Sequence, residues 1–590
     1  MTTPTTLDRR DFLRASALAG GGLLLAIYAP ASAEPRSSAT PPAPFSPNVF
    51  VQIDADNTVT ITVARADMGQ GVRTALPMIV AEELDADWNR VAIRQADAHP
   101  SQYGRMMTVG SSSIRNGAWM ALRKAGAAGR EMLVLAAATK LGVGVDTLRT
   151  ENSRVYHDAS KRSLSYGELA SAAATIAVPT QPTLKDPSAF RLIGTRVPQV
   201  DAPAKVTGKA AYGIDARTPG MLFATVVHPP VFGSTVKSFD APKALAVPGV
   251  KHVVQLSQGV AVVGSNTWAA FKGAKALPIE WENTSFAMTS DEIFKAFSDL
   301  AERPGTEAKR TGDVDSAMAG ASRRLQATYE VPYLAHATME PMNCTADVRA
   351  DRCEIWAPTQ NPQGVQQVAS QLTGFPVTAV TVHMQLLGCG WGRRSATDFV
   401  RDAVETSQKI GAPVQVLWTR EEDMQHDFYR PAAHHRMEGG LDPSGKVVAF
   451  KSRIVCQPIA GGRTAVDGPA VAGIADTRYA MPNVLVEYAK PDIGVPVGYW
   501  RSVGASQNAF ILESFIDELA HAAKRDPVEF RRELLAQEPR VRRVLDLAAE
   551  KSGWLTPLPA GRARGIALAE DMGSLVCEVA EVSVTGDKVR

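Results

Sequence analysis

The stretch AVTVHMQLLGCGWGRRSATDFVRDAVETSQKIGAP, residues 379–413, decides the fold. Its first part alternates apolar and polar residues, with Val380 and Val382 on one face, which predicts a β-strand. Its last part has apolar residues at helical spacing and closes with Gly411-Ala412-Pro413, which predicts a helix ending there. The loop Gly388–Arg394 between them is neither a Walker loop nor G-x-G-x-x-G. Strand, glycine loop and helix together form a cradle for an anion, although a tight structural turn is an equally open interpretation.

Two further loops precede this stretch. Residues 49–63 alternate as a β-hairpin, and the glycine-flanked loop Asp67–Gly71 follows, with a helix expected from Ala75 to Leu84. The polar loop Thr108–Ser113 opens a long helical pattern that runs from Ile114 to Leu141. Serines at this position either cap the helix or help its free N–H groups to hold a phosphate, and the spacing alone leaves both open.

Composition excludes several classes of protein. The chain has 590 residues, of which 45% are hydrophobic and 21% charged, as in a globular protein of several domains. Lysine plus arginine number 63 and aspartate plus glutamate 61, so nothing indicates nucleic-acid binding. The five cysteines include no C-x-x-C pair, which argues against both a disulfide framework and an iron–sulfur cluster in this chain. There is no H-E-x-x-H zinc motif.

The N-terminus is typical of an export signal. Arg9-Arg10 precedes an apolar run from Ala17 to Ile27, and Ala31-Ser32-Ala33 is a small-residue cleavage pattern. The paired arginines resemble a twin-arginine signal, which predicts a periplasmic protein with no membrane span after signal removal. A single membrane anchor is the alternative, but the apolar run is short for a bilayer.

The chain divides into segments at its proline-rich stretches and where strand and helix patterns change. The predicted organisation is a signal at 1–33, a linker at 34–48, a segment at 49–180, a linker at 181–208, a small α+β domain at 209–290 and two further segments at 291–520 and 521–590.

Six motifs together resemble one family. They are Asp67–Gly71, Gly110–Ser113, His336–Pro341, Thr359–Pro362, Gly388–Arg394 and Trp500–Gly504. This set resembles the molybdenum-binding large subunit of the xanthine oxidase family, in the branch of isoquinoline 1-oxidoreductase and periplasmic aldehyde dehydrogenases. The resemblance implies a multi-domain α+β fold, circularly permuted relative to xanthine dehydrogenase. It makes 209–290 a small hammerhead-like α/β domain and 291–520 the first molybdopterin-binding domain. It makes 49–180 part of a second such domain, whose incomplete start is 521–590.

The family binds a molybdopterin dinucleotide, in bacteria usually the cytosine form, and the resemblance assigns the loops to it. Glycine loops suit this ligand because their backbone N–H groups can approach it closely. The positions that match are Gly69, Gln70 and Gly71 for the pterin, Gly110, Ser111, Ser112 and Ser113 for the phosphates, and Gly388, Gly390, Gly392 and Arg393 beside the metal. No side chain of this chain is assigned as a metal ligand.

Three positions match catalytic residues of the family. Gln360 matches a glutamine that hydrogen-bonds an oxygen ligand of the metal, where an amide donates without adding charge, although a turn residue is the alternative. Trp391 stands where the family usually has phenylalanine against the substrate ring. Arg501 matches an arginine oriented toward the substrate, with a surface ion pair as the alternative. His336 and Glu340 are family markers to which we assign a structural role.

The family hydroxylates N-heteroaromatics or oxidises aldehydes with water as the oxygen source. Electrons leave through iron–sulfur clusters, which these cysteines do not provide, so the resemblance implies a small [2Fe-2S] partner subunit. A cytochrome is the expected onward acceptor at the periplasmic face.

The sequence departs from the family at the general base. The family's glutamate lies in a Gly-x-Gly-Glu segment that these 590 residues lack, and Glu578 and Glu581 fall at exposed positions of a strand pattern. We therefore expect no turnover from this chain alone. The segment is either missing from this sequence, supplied by another chain, or lost, in which case the protein is a non-catalytic cofactor-binding or assembly module. A secreted hydrolase is disfavoured because no G-x-S-x-G elbow is present.

Overall fold

The computed structural model describes residues 45–590 except 112 and 287, and the side chains of Phe45 and Ser113 are not described. The predicted signal, residues 34–44 of the first linker and Ser112 therefore lie outside the described residues. The described N-terminal strands are β1 Phe45–Asn48, β2 Val51–Ile53, β3 Val59–Val63, β4 Val91–Gln95, β5 Leu148–Glu151, β6 Arg154–His157 and β7 Arg162–Ser165.

The N-terminal region builds a small sheet covered by two packed helices. Strands β1 to β4 lie in order, and the β2–β3 pair confirms the predicted hairpin. The helix Val72–Leu84 begins three residues before the predicted start, and the π-helical turn Ser113–Ala118 continues into the helix Trp119–Leu141. These helices cross so closely that a Cβ on Gly126 would lie 2.5 Å from the carbonyl oxygen of Val80. Further helices of this region are Pro100–Tyr103, Tyr166–Ala173 and Ala202–Val206.

The residues predicted as the second linker, 181–208, pack against the first of these helices. Lys185 pairs with Glu82 at 3.1 Å and with Asp85 at 2.5 Å. The carboxylate of Glu82 also accepts hydrogen bonds from the backbone N–H groups of Leu192 and Ile193. The segment is therefore an ordered strap along the N-terminal region.

The middle of the chain forms two larger sheets. Its strands are β8 Leu222–Val227, β9 Thr235–Phe239, β10 Val250–Leu256, β11 Gly259–Gly264, β12 Ile279–Glu282, β13 Thr306–Thr311, β14 Arg323–Val331, β15 Asn343–Val348, β16 Cys353–Ala357, β17 Val380–Met384, β18 Val414–Leu417, β19 Ala433–Leu441, β20 Val447–Cys456 and β21 Val484–Ala489. One sheet has the order β10-β11-β8-β18-β15-β16-β17 and the other the order β13-β21-β20-β19-β14.

The seven-stranded sheet crosses the boundary predicted at residue 290. Three of its strands come from the segment 209–290, and β8 pairs in parallel with β18 of the next segment. The helices of this part are Ala241–Leu245, Thr267–Lys275, Ser290–Ala301, Val314–Ala319, Pro362–Thr373, Asp398–Ile410, Arg420–Gln425 and Gly468–Val471. Apolar residues of Pro362–Thr373 and Asp398–Ile410 join the core that covers this sheet.

The C-terminal part covers the five-stranded sheet. The helices Gly504–Ala522, Pro527–Leu534 and Pro539–Lys551 share one apolar core with β19, β20 and β21. The hairpin of β22 Arg562–Asp571 and β23 Ser574–Thr585, with the short β24 Lys588–Val589, packs on the outside of these helices. Its turn reaches back to the N-terminal region, where the side chain of Met572 lies beside Gly110.

Among the described residues, no helix is both long and apolar enough to cross a bilayer. All five cysteines are free.

Candidate cofactor site

Loops that are far apart in sequence meet around a cavity of about 510 Å³. It lies where the N-terminal region, the loop after β17 and the start of the helix Gly504–Ala522 come together. The residues that line it are Arg65, Met68, Gly69, Gln70, Val72, Thr108, Val109, Gly110, Ser111, Ile114, Gln360, Trp391, Gly392, Tyr499, Trp500, Arg501, Ser502, Val503, Asp571 and Met572. Five of the six motifs found in the sequence therefore contribute to one cavity.

Gln360 connects two of these loops. Its side-chain N–H donates to the carbonyl oxygen of Thr108 at 3.1 Å, and its Oε1 accepts from the backbone N–H of Gly392 at 3.0 Å. Its own backbone accepts from Thr108 at 2.8 Å. The side chain is only 5% exposed, and an amide carries two N–H donors, so one remains for a ligand in the cavity.

The loop after β17 needs glycine at two positions because other groups press against it. A Cβ on Gly392, where φ is +110°, would lie 1.7 Å from the carbonyl oxygen of Tyr499. A Cβ on Gly390 would lie 2.7 Å from Oε1 of Gln360. Trp391 itself has a φ of +53°, a strained value for a residue with a side chain, and this conformation sets its half-buried side chain in the cavity wall.

The Asp67–Gly71 loop is braced from within. The Gln70 amide accepts from the backbone N–H of Met68 at 2.7 Å and donates to the carbonyl of Ala66 at 2.9 Å. Gly69 and Gln70 both line the cavity. Gly71 does not line it but starts the helix Val72–Leu84 with a φ of +78°. This glycine therefore shapes the loop more than it contacts the cavity.

The predicted phosphate loop lies at the opposite wall. Gly110 and Ser111 line the cavity directly before the π-helical turn, whose backbone starts at Ser113. A Cβ on Gly110 would lie 3.1 Å from the Met572 side chain. Asp571, in the same hairpin turn, brings a carboxylate to the wall, and burial, with the neighbouring charge of Asp476, raises its pKa.

No sequence pattern singled out Arg65, although it is the most informative residue of the cavity. Its side chain is 7% exposed, its Nε has no hydrogen-bond partner and no described carboxylate lies within 4.0 Å. Burial, with the positive charge of Arg105, lowers its pKa to about 10. A buried cation without a counter-charge is costly, so a ligand with negative charge fits this cavity.

Arg501 lines the same cavity. It is exposed, and its guanidinium forms no ion pair with any residue in the described part of the chain. The loop that carries it ends at Val503, whose φ of +54° is strained for a β-branched residue. Both ring nitrogens of His336 face acceptors, the Asp427 carboxylate at 2.9 Å and the carbonyl of Tyr499 at 2.9 Å, so His336 holds this loop.

Arg393 does not reach the cavity, although the resemblance assigned it to the cofactor. It is 1% exposed and donates to Asp398 at 2.9 and 2.7 Å, and its Nε lies 3.0 Å from Asp427. Its guanidinium also lies over the ring of Trp418. Two carboxylates therefore balance the charge of this guanidinium, and Arg393 supports the loop from behind.

Gly388 lies on the other side of the same loop. It lines a second cavity of about 570 Å³, and its N–H donates to Glu340 at 2.7 Å. The buried Arg394 also donates to the Glu340 carboxylate, at 3.2 Å. Glu340 therefore fixes the loop, in agreement with its predicted structural role.

Comparisons with known proteins place this geometry among cofactor-binding chains. Two models described as molybdopterin cofactor-binding domain match residues 9–215 and 299–535. The β-subunit of isoquinoline 1-oxidoreductase from Brevundimonas diminuta is 33% identical over 94% of this chain and 79% of its own length. The membrane-bound aldehyde dehydrogenase [pyrroloquinoline-quinone] of Gluconacetobacter polyoxogenes is 31% identical over 95% of this chain and 78% of its own length.

The fold is that of solved molybdenum hydroxylase chains. CO dehydrogenase from Oligotropha carboxidovorans aligns with a TM-score of 0.53 at 17% identity, covering 64% of this chain and 58% of that one. Quinoline 2-oxidoreductase from Pseudomonas putida 86 aligns with a TM-score of 0.52 at 19% identity, covering 64% and 57%. The chain thus spans somewhat more than half the length of these structures, in a mixed α+β fold with several sheets.

Proposed function

The chain belongs to the molybdopterin-binding large subunits of the xanthine oxidase family, and from that membership we propose that it is the molybdenum subunit of an enzyme that hydroxylates N-heteroaromatic rings or oxidises aldehydes with water as the oxygen source. The observation that carries the proposal is the cavity at which Gln360, Gly392 and the buried, unpaired Arg65 converge.

The residues present fit an anionic, polar cofactor. Arg65 offers a guanidinium that has no counter-charge among the described residues and whose Nε has no hydrogen-bond partner. Gln360 offers a free amide N–H, and Gly392 is a position where nothing larger fits. We assign Gly69, Gln70, Gly110 and Ser111 to the wall that holds the molybdopterin, and propose the cytosine dinucleotide as its form. When bound, this cofactor supplies the two-electron oxidation that transfers oxygen from water to the substrate carbon.

The substrate would lie against an aromatic wall. Trp391, Tyr499 and Trp500 all line the cavity, and large flat side chains favour a flat ring by stacking and by excluding water. Arg501 at the same wall has no protein counter-charge and would stabilise negative charge that develops on a ring nitrogen or a carbonyl oxygen. These features support an aromatic heterocycle or an aromatic aldehyde as substrate.

Electrons would leave through a partner. We propose a small [2Fe-2S] subunit and a cytochrome beyond it, since the cysteines of this chain do not carry the spacing of a cluster site. We also propose that Arg9-Arg10 directs export to the periplasm by the twin-arginine pathway. The segment 209–290 would be the hammerhead-like part of a circularly permuted arrangement.

The test has two stages. The chain is first purified from a host that makes the cofactor, and its molybdenum and pterin contents per chain are measured. Isoquinoline and benzaldehyde are then assayed with a dye acceptor in the presence of the [2Fe-2S] subunit. Turnover of either substrate supports the proposal, whereas a folded chain that carries neither molybdenum nor pterin refutes it. A loaded chain that never turns over with its partner favours a non-catalytic cofactor-binding module.

A further inference from the structure

A second cluster of ligating side chains lies behind the glycine loop, outside the cavity. It consists of His228, Glu422 and His426, whose nearest ligand atoms all lie within 4.8 Å of one another. His228 follows directly after β8, and the other two are four residues apart at the helix Arg420–Gln425, so they share one face. Their side chains are 6%, 17% and 15% exposed.

Two imidazole nitrogens and one carboxylate oxygen meet at one place. Nδ1 of His228 and Nδ1 of His426 each lie 2.9 Å from Oε2 of Glu422. Four-coordinate zinc with bonds of about 2.0–2.1 Å places its ligand atoms roughly 3.3 Å apart. Each nitrogen–oxygen spacing is therefore only a few tenths of an ångström shorter than zinc requires.

The second ring nitrogen of each histidine, Nε2, also has a hydrogen-bond partner. Nε2 of His228 faces the Asp402 carboxylate at 3.1 Å, and Trp418 donates to the same oxygen at 2.9 Å. Nε2 of His426 faces the carbonyl of Pro229 at 3.0 Å. A histidine that binds a metal typically donates its other ring N–H to a carboxylate or a carbonyl, which fixes the tautomer and the ring. Both histidines show that arrangement.

The charge of the cluster also favours a bound cation. Two carboxylates, Asp402 and Glu422, lie against His228 in a largely buried region. Their negative charge can be balanced by a proton on His228 or by a metal ion. A divalent cation offers more charge at the same place, and imidazole ligands favour zinc over calcium or magnesium.

We propose that His228, Glu422 and His426 bind a zinc ion that stabilises the fold, with water as the fourth ligand. The ion would tie β8 to the helix Arg420–Gln425, and so join the segment 209–290 to the segment that carries the glycine loop. The backbone carbonyl of His426 also accepts from the buried Arg393 at 3.4 Å, so the site would brace that loop from behind.

The test is a zinc titration of the chelator-treated full chain, followed by calorimetry and thermal unfolding. We expect one zinc ion at this cluster, a higher melting temperature with zinc, and loss of that ion in Glu422→Gln and His426→Gln. The matched control is His434→Gln, since His434 is a largely buried histidine whose Nδ1 pairs with Glu330 at 2.9 Å on the other large sheet. The control should bind zinc as the wild type does.

Cobalt gives a second measurement that does not depend on how the variants fold. Wild-type chain loaded with Co²⁺ should show the intense visible bands of a four-coordinate, nitrogen-ligated ion, and zinc should remove them. Folded wild-type chain that binds no zinc, or variants that bind as much as the control, would overturn the proposal. Molybdenum content is measured separately, so failure here leaves the proposed function unaffected.

Discussion

Replacing Gly392 by alanine should push the Gly388–Arg394 loop away from the loop that carries Tyr499, where the two meet at the cavity. The new Cβ would start 1.7 Å from the carbonyl oxygen of Tyr499, and carbon atoms of this type do not approach closer than 3.0 Å, so the loops must move at least 1.3 Å apart. If the loop that carries Gly392 makes this movement, it shifts relative to Gln360 and loses the 3.0 Å hydrogen bond from the Gly392 N–H to Gln360. Losing it and leaving a buried oxygen unsatisfied costs about 2 kcal/mol.

A cost of about 2 kcal/mol corresponds to roughly 30-fold weaker binding of any ligand that needs both loops in place. We therefore expect Gly392→Ala to fold, by circular dichroism, but to retain a small fraction of the wild-type molybdenum and pterin, measured by mass spectrometry and by pterin fluorescence.

The control separates crowding from backbone strain. Gly374 also has a positive φ, +76°, but nothing lies within 4 Å of the position its Cβ would take. Gly374→Ala should keep the wild-type cofactor content, because alanine there adds strain without a clash. If Gly392→Ala and Gly374→Ala load equally well, the close approach of the two loops is not what the cofactor requires, and the reasoning fails.

Three further predictions address single groups. Arg65→Met removes a buried unpaired charge, so it should leave the free energy of unfolding of the cofactor-free chain unchanged or raise it by on the order of 1 kcal/mol. The same variant should contain less molybdenum than wild type, and an equal molybdenum content would contradict the role of Arg65. Arg501→Gln should keep the free energy of unfolding within about 0.5 kcal/mol of wild type and keep the wild-type molybdenum content. It should lower kcat/KM about 100-fold in the enzyme assembled with its partner. An unchanged kcat/KM would show that Arg501 does not act on the substrate. The folded-state pKa of His228 is raised to about 10, so its stabilising contribution is complete below pH 6.5 and is lost as the pH rises through 10. Without added metal, the free energy of unfolding of wild type, measured by urea denaturation, should therefore exceed that of His228→Gln by a margin that shrinks by a few kcal/mol from pH 6 to pH 10. A constant margin would contradict this prediction.

Local signals in the sequence predicted the elements around the cavity well. The helix that ends at Gly142, the strand before Gly388 and the helix after it follow from periodicity and from glycine at the stop positions, which depend on neighbouring residues alone. The glycine-rich loops were also recognisable, because a glycine forced by close approach leaves its mark at one position, as at Gly392.

Features that depend on distant packing could not be predicted. Arg65 looks like any arginine after a strand, and only the fold shows that no carboxylate comes near it. Arg393 lies inside a matching motif, yet its partner Asp427 is 34 residues further along the chain. The turn at Met572 reaches Gly110 from the far end of the chain. Such meetings are set by sheet order and helix packing, which periodicity does not encode.

The central claim is that molybdopterin occupies the cavity between Gln360, Gly392 and Arg65. The most direct test is anomalous diffraction at the molybdenum absorption edge from crystals of the chain purified from a cofactor-producing host. We predict one strong peak inside the cavity, beside the Gln360 amide. A peak elsewhere in the chain, or protein that contains molybdenum but shows no peak in the cavity, would contradict the account.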